Sequence, residues 1–247
     1  SNAQDWCHIQ DGEHVEYDGN FDVVAMMDMG FGDPTSILWA QLRPPPERFI
    51  GILKSMLVFF DEEEQANREI EYWRQVLLGN GSAYRDCSPI VRSRDAQRAG
   101  YHYRDVVGDA RTADQTMGVG TTWKQELGSI RGCTMVGNRR SEIAPVNVMK
   151  ALLQNPFPGR KFEESIGIAI NRRTCPNLIK GFQNWSFEID KETRAIKDGA
   201  KPMHNQWSHR MKAAVYGADY LFGELGKKPK EKTEEWDFRV IEKAARL

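Results

Sequence analysis

The run Val23-Val24-Ala25-Met26-Met27, followed at once by Asp28-Met29-Gly30-Phe31-Gly32-Asp33-Pro34, constrains this chain more than any other stretch. An unbroken apolar run of this length reads as a buried strand, and the turn formers behind it send the chain into a hairpin. Thr35 to Leu42, with Ile37, Leu38 and Trp39, supplies the returning strand. After the Pro44-Pro45-Pro46 break, Phe49 to Phe60 supplies a third. Three strands in succession imply an antiparallel meander, which places the chain in the α/β class with a mixed sheet and flanking helices.

Behind the meander, Asp61 is a good N-cap for a helix in which Ala66, Ile70, Trp73 and Leu77 recur at helical spacing, and Gly79-Asn80-Gly81 ends the pattern. Arg92 to Arg98 reads as a basic, exposed stretch leading to a fourth strand, Tyr101 to Gly108, that stops at Asp109. Thr121 to Leu127 reads as a short helix and Cys133 to Val136 as a short strand. Ser141 caps a helix with Val146, Met149, Leu152 and Leu153 on one face, in which Pro145 is tolerable only near the first turn. Ile166 to Ile170 is strand-like, Pro176 to Phe182 opens a helix, and Trp185 to Ile189 looks like one arm of a hairpin. The segment from Ser208 to Leu225 is a final helix with Met211, Val215, Ala218 and Phe222 on one side.

The chain reads as one domain over residues 4–225. Ser1-Asn2-Ala3 resembles the scar of a cleaved expression tag, and residues 226–247 form a Lys/Glu-rich tail. With 247 residues, 40% of them hydrophobic, a single large α/β core is feasible. Lys and Arg number 34 against 35 Asp and Glu, a net charge of −1. That balance argues against a tight nucleic-acid binder held by bulk charge, so any DNA contact is local or delivered by a partner. No apolar run approaches the roughly 20 residues of a membrane span. Cys7, Cys87, Cys133 and Cys175 show no metal-binding spacing, which leaves reduced thiols in a soluble, cytoplasmic protein as the plain expectation.

The chemistry lies in the strand ends. Asp28 closes the first strand and Asp109 the fourth, and in a mixed sheet these strands can be neighbours. Facing carboxylates favour a hard divalent cation such as Mg²⁺ or Mn²⁺, which activates water and stabilises a pentavalent phosphorus transition state. An Asp-x-Gly hairpin also opens the actin-like and sugar-kinase phosphotransferases, for which Gly118-Val119-Gly120 is weak support as a second phosphate loop.

Several segments resemble one family in order. Val24 to Trp39, VAMMDMGFGDPTSILW, is similar to the first nuclease motif of the large subunit of tailed-phage packaging terminases, where an apolar strand ends at a metal-binding Asp before a D-P-T-[AS] hairpin. Tyr103 to Ala110, YRDVVGDA, resembles the second motif. Arg139 to Leu153, Cys175 to Phe182 and the Ser208-His209 helix follow in the family's order, so the resemblance covers roughly residues 20–225. It implies a ribonuclease H-like fold and two-metal cleavage of double-stranded concatemeric viral DNA. Asp28 and Asp109 would be the ligands it implies; by their own chemistry, a neutral His209 imidazole could add a ligand to Mn²⁺, and Asp33, first a hairpin residue, could reach a metal through water. The resemblance also implies a separate ATPase domain, portal and small terminase subunit as partners, and work in the host bacterial cytoplasm. Arg139, Arg140, Arg172 and Arg173 would contact phosphates if they flank the cleft. No G-x-x-x-x-G-K-[ST] loop occurs, so this chain is not itself the motor.

One position departs from the family. Its third motif reads approximately S-H-x-x-D-A-x-R-Y, whereas this chain has Ser208-His209-Arg210-Met211-Lys212-Ala213-Ala214-Val215-Tyr216. Lys212 stands where the third metal-binding Asp belongs, and a protonated ammonium repels a cation. An impaired terminase-like domain that grips DNA or docks to the portal is therefore the rival expectation.

Overall fold

A computed structural model describes residues 7–30, 33–81, 89–115, 120–128, 130, 134–138, 143–154, 165–187 and 202–223. The sheet contains β1 (Ile9–Gln10), β2 (Val23–Asp28), β3 (Thr35–Arg43), β4 (Ser55–Gln65), β5 (Tyr103–Asp109), β6 (Thr134–Asn138) and β7 (Ile166–Asn171). Their order is β1-β7-β4-β3-β2-β5-β6. β2, β3 and β4 form the expected antiparallel meander. The other pairings among the described residues are parallel, so of the described strands β3 alone runs against the rest. The C-terminal ends of β2, β4, β5, β6 and β7 consequently meet at one rim of the sheet.

Helices cover both faces. One core gathers Trp39, Phe60 and Tyr101 with Trp73 of α1 (Ile70–Leu77) and Trp123 of α4 (Trp123–Leu127). The opposite core packs Val24, Met26 and Phe59 against α5 (Ile143–Leu153), α6 (Pro176–Asn184) and α7 (Ser208–Phe222). Between α1 and α4 lie α2 (Pro89–Arg98) and α3 (Ala110–Ala113). The approach of α7 to β2 depends on Gly217: a Cβ there would fall 2.1 Å from Met26 Sδ, inside any tolerable contact. Met211, Val215, Ala218 and Phe222 are all buried, as their spacing implied.

Three expectations need correction. The third strand begins at Ser55 rather than Phe49, because a short 3-10 turn at Glu47–Phe49 and the bend behind it intervene, and it runs on to Gln65. Asp61 is therefore a buried strand residue rather than a helix cap, and the first helix starts only at Ile70. The stretch Arg92 to Arg98 is not an exposed connection but the larger part of α2, and Arg98 is fully buried. Of the proposed hairpin arm at Trp185 to Ile189, only a single bridge, Phe187 to Pro202, is found among the described residues. Cys87, Gly118-Val119, Cys133, Arg139, Arg140, Ser141 and the tail lie outside the described residues.

A β-bulge governs the chemistry of β4. Trp39 pairs with Asp61 and Ala40 with Phe59, which leaves Phe60 as the extra residue. The strand's side-chain alternation shifts there by one. Beyond it, Asp61 and Glu63 face the α1 side, and Glu62 and Glu64 face α7.

Candidate functional site

The strand register lays a polar row across the rim on the α7 side. Asp28 pairs with Ser36, and Ser36 in turn with Glu64. On the other flank of β2, the parallel register Met26 to Val107, carried two residues further, sets Asp109 opposite Asp28. Residues in register on parallel neighbours point to the same face. The expected adjacency of the strands that end in Asp28 and Asp109 is therefore present.

The first turn of α7 descends onto this row. His209 is buried, and its Nδ1 lies 2.8 Å from Asp28 Oδ2. A carboxylate only accepts, so the proton sits on Nδ1. This bond to Asp28 raises the His209 pKa above its ordinary 6.5 against burial, with Asp28 and Glu64 adding to the rise and Lys212 opposing it. Lys212, half-buried, lies three residues on along the same face of α7 and forms no ion pair among the described residues. Arg210 turns toward β4, with Nη1 3.0 Å from Glu64 Oε1 and Nε 3.7 Å from Glu62 Oε2.

Glu62 and Glu64 are both buried far enough to lift their pKa values, and the Arg210 charge opposes the rise in each. They differ in use. Glu62 accepts the amides of Asn177 (2.8 Å) and Leu178 (2.7 Å), closing the N-terminus of α6. Glu64 stands free of such a structural task and faces the Asp28-His209 pair.

The other expected residues have partners of their own. Asp109 is half-buried and accepts from Thr112 Oγ1 at 3.2 Å. Asp33 is exposed, with Oδ2 3.9 Å from His204 Nε2. Arg172 and Arg173 follow β7 at the same rim, yet each is paired with an exposed carboxylate, Arg172 with Asp11 (2.9 Å) and Arg173 with Glu16 (3.7 Å). His204, Glu64 and Arg210 escaped the sequence reading. The His204/His209 spacing across a helix start was the available signal for the first; the other two depend on the bulge.

No protein-family model matches the chain, and no curated protein matches it. Solved structures do. Over 87% of its length the chain is similar to the large terminase of a thermophilic bacteriophage in complex with ADP, at 14% identity and a TM-score of 0.51, and it spans 42% of that protein. It is also similar to the g2p nuclease domain of bacteriophage SPP1 with bound Mn, at 15% identity and TM-score 0.45, covering 87% of this chain and 96% of that one. A third is the large terminase nuclease from thermophilic phage G20c with bound cobalt, at 11% identity and TM-score 0.45, covering 83% and 84%. The mixed sheet, its meander and its flanking helices thus share the fold of part of a large terminase.

Proposed function

We propose that this chain is the metal-dependent endonuclease domain of a viral genome-packaging terminase, cutting double-stranded concatemeric DNA. The observation that supports this most is the register of β2 and β5, which ends two parallel neighbours in Asp28 and Asp109 at one rim, with the His209 imidazole on Asp28. The donors suit the cation: Asp28 Oδ1 makes no hydrogen bond among the described residues, and carboxylate oxygens match Mg²⁺ or Mn²⁺. Asp28 and Asp109 would hold the metal, which when bound supplies an activated water and stabilises charge on the scissile phosphate. Asp33 reaches that centre only through water. His209 orients Asp28, and Arg172 and Arg173 exchange their carboxylate partners for phosphates. An ATPase domain, a portal and a small terminase subunit would be the partners, and the host bacterial cytoplasm the place of action.

Lys212 supports a second reading, an impaired centre, because its charge already acts on the His209 imidazole. Plasmid cleavage in Mg²⁺ or Mn²⁺ separates the two. Cutting that stops in chelator and falls at least about 100-fold in Asp28→Asn supports a working nuclease. No cutting by the parent chain, recovered in Lys212→Asp, supports the impaired centre. Undiminished cutting by Asp28→Asn overturns both.

A further inference from the structure

Beside the carboxylate row lies a second constellation made of different chemistry. Asp33, His204 and His209 each present a ligand atom, and these atoms all lie within 4.8 Å of one another. The two rings stand nearly perpendicular, 85° apart, with centroids at 5.2 Å. His209 is buried, while Asp33 and His204 are exposed and reach it from the β2-β3 hairpin and from the segment entering α7.

The hydrogen bonds around both rings leave the same atom available. His209 Nδ1 is bound to Asp28 Oδ2. Ser208 Oγ donates to the Asn205 carbonyl at 2.7 Å, so its oxygen is left to accept from His204 Nδ1, 3.2 Å away. Both imidazoles are thereby held with the proton on Nδ1 and a lone pair on Nε2. A histidine that ligates a metal characteristically has its other nitrogen bound in this way, to a carboxylate or another oxygen. Here that support exists twice, at adjacent rings.

We propose that Asp33, His204 and His209 form a binding site for a first-row transition-metal dication, taking Co²⁺ or Zn²⁺ in preference to Mg²⁺. Two imidazoles and one carboxylate are borderline donors; Mg²⁺ favours oxygen and keeps its waters. Metal bonds of about 2.1 Å require donors about 3.4 Å apart in a tetrahedral site. The exposed Asp33 and His204 side chains close that gap by rotation, whereas His209 is already fixed. The site adjoins the proposed nuclease centre through Asp28 but does not depend on it. One Asp28 oxygen orients His209 here, and the other makes no hydrogen bond among the described residues.

The test is a Co²⁺ titration of the full chain, followed by calorimetry and by the visible d-d absorption of the bound ion. His204→Ala and Asp33→Asn are suitable variants, because both side chains are exposed and neither supports the core. The expected result is a Kd loosened at least about tenfold in each, with the visible band altered and with excess Mg²⁺ unable to displace Co²⁺. Unchanged affinity and spectrum in both variants overturn the proposal, as does ready displacement by Mg²⁺. Asp109→Asn keeps the two readings apart. If it abolishes Co²⁺ binding while His204→Ala has no effect, the metal belongs to the carboxylate pair and only this inference fails. If His204→Ala abolishes binding in a protein that never cuts plasmid, this inference stands and the nuclease reading fails.

Discussion

The two faces of the sheet at the end of β4 treat neighbouring carboxylates in opposite ways. On the α1 side, Asp61 and Glu63 close around the fully buried Arg98. Its Nε and Nη2 donate to Asp61 at 2.7 and 3.1 Å, and its Nη1 donates to Glu63 at 3.2 Å. The guanidinium also lies over the Trp39 ring, 4.3 Å from its centroid. Burial alone would lower the Arg98 pKa, but Asp61 and Glu63 outweigh it and hold the value above the ordinary one. On the α7 side, Glu62, Glu64 and Asp28 meet one arginine, a histidine whose pKa is raised mainly by its bond to Asp28, and a lysine that pairs with none of them within 4 Å. The first face completes its charges within the fold. The second leaves donor atoms over, as expected where a ligand finishes the structure.

The largest expected effect tests the closed face. Arg98→Met leaves buried carboxylates around a missing cation, and we expect a loss of about 3–5 kcal/mol in urea unfolding. The Co²⁺ affinity of whatever remains folded should hold, because Arg98 and α7 lie on opposite faces. A loss below about 1 kcal/mol would mean that water or rearrangement satisfies these carboxylates, and the contrast between the faces would dissolve.

Next comes the open face. Lys212→Asp removes a cation near His209 and adds a carboxylate, so Mn²⁺ affinity should rise about tenfold, or about 1.4 kcal/mol. Stability should move by no more than about 0.5 kcal/mol, since Lys212 is half-buried without an ion pair among the described residues. Calorimetric titration of both proteins measures the affinity. Equal affinities would place Lys212 outside the metal's reach. Glu62→Gln is a smaller, complementary change. Glu62 lies on the open face yet serves as a cap for α6, so we expect about 1 kcal/mol of lost stability with metal binding unchanged. A large drop in Mn²⁺ affinity instead would make Glu62 part of the site.

The same contrast explains what could be read in advance. β2 and β3 were legible because an apolar run and a turn cluster are local signals, and with them came Asp28 and its neighbour strand. The end of β4 was not. Asp61-Glu62-Glu63-Glu64 carries the composition of a helix start, and only distant partners make it a strand: Arg98, the α6 amides and Arg210. Arg98 looked like solvated charge for the same reason, its partners lying 35 and 37 residues earlier. His204 offered only its spacing from His209 across a helix start, and its value comes from a ring placed beside His209 by the turn into α7.

The smallest effect comes from comparing two histidines with opposite shifts. His14 lies below its ordinary pKa of 6.5 through burial and the charges of Arg48 and Arg43, whereas His209 lies above it through Asp28. A raised folded-state pKa means that the native state binds the proton more tightly than the unfolded chain. The stabilisation from the Asp28-His209 pair is thus fully present below pH about 6.5 and fades as pH climbs through the raised value. His14 has the reverse sign: its folded pKa is depressed, so it costs stability as pH falls below about 6.5. The difference in unfolding free energy between the metal-free parent and His209→Gln, measured from pH about 5 to about 9, cancels the His14 contribution and isolates the pair. That difference should be largest at the acid end and shrink toward the alkaline end. The opposite trend, or a flat line, would mean that His209 gains nothing from Asp28 when charged. Metal reverses the preference, because a ligand imidazole must be neutral. With Co²⁺ present, His209 should therefore contribute most where the metal-free pair contributes least.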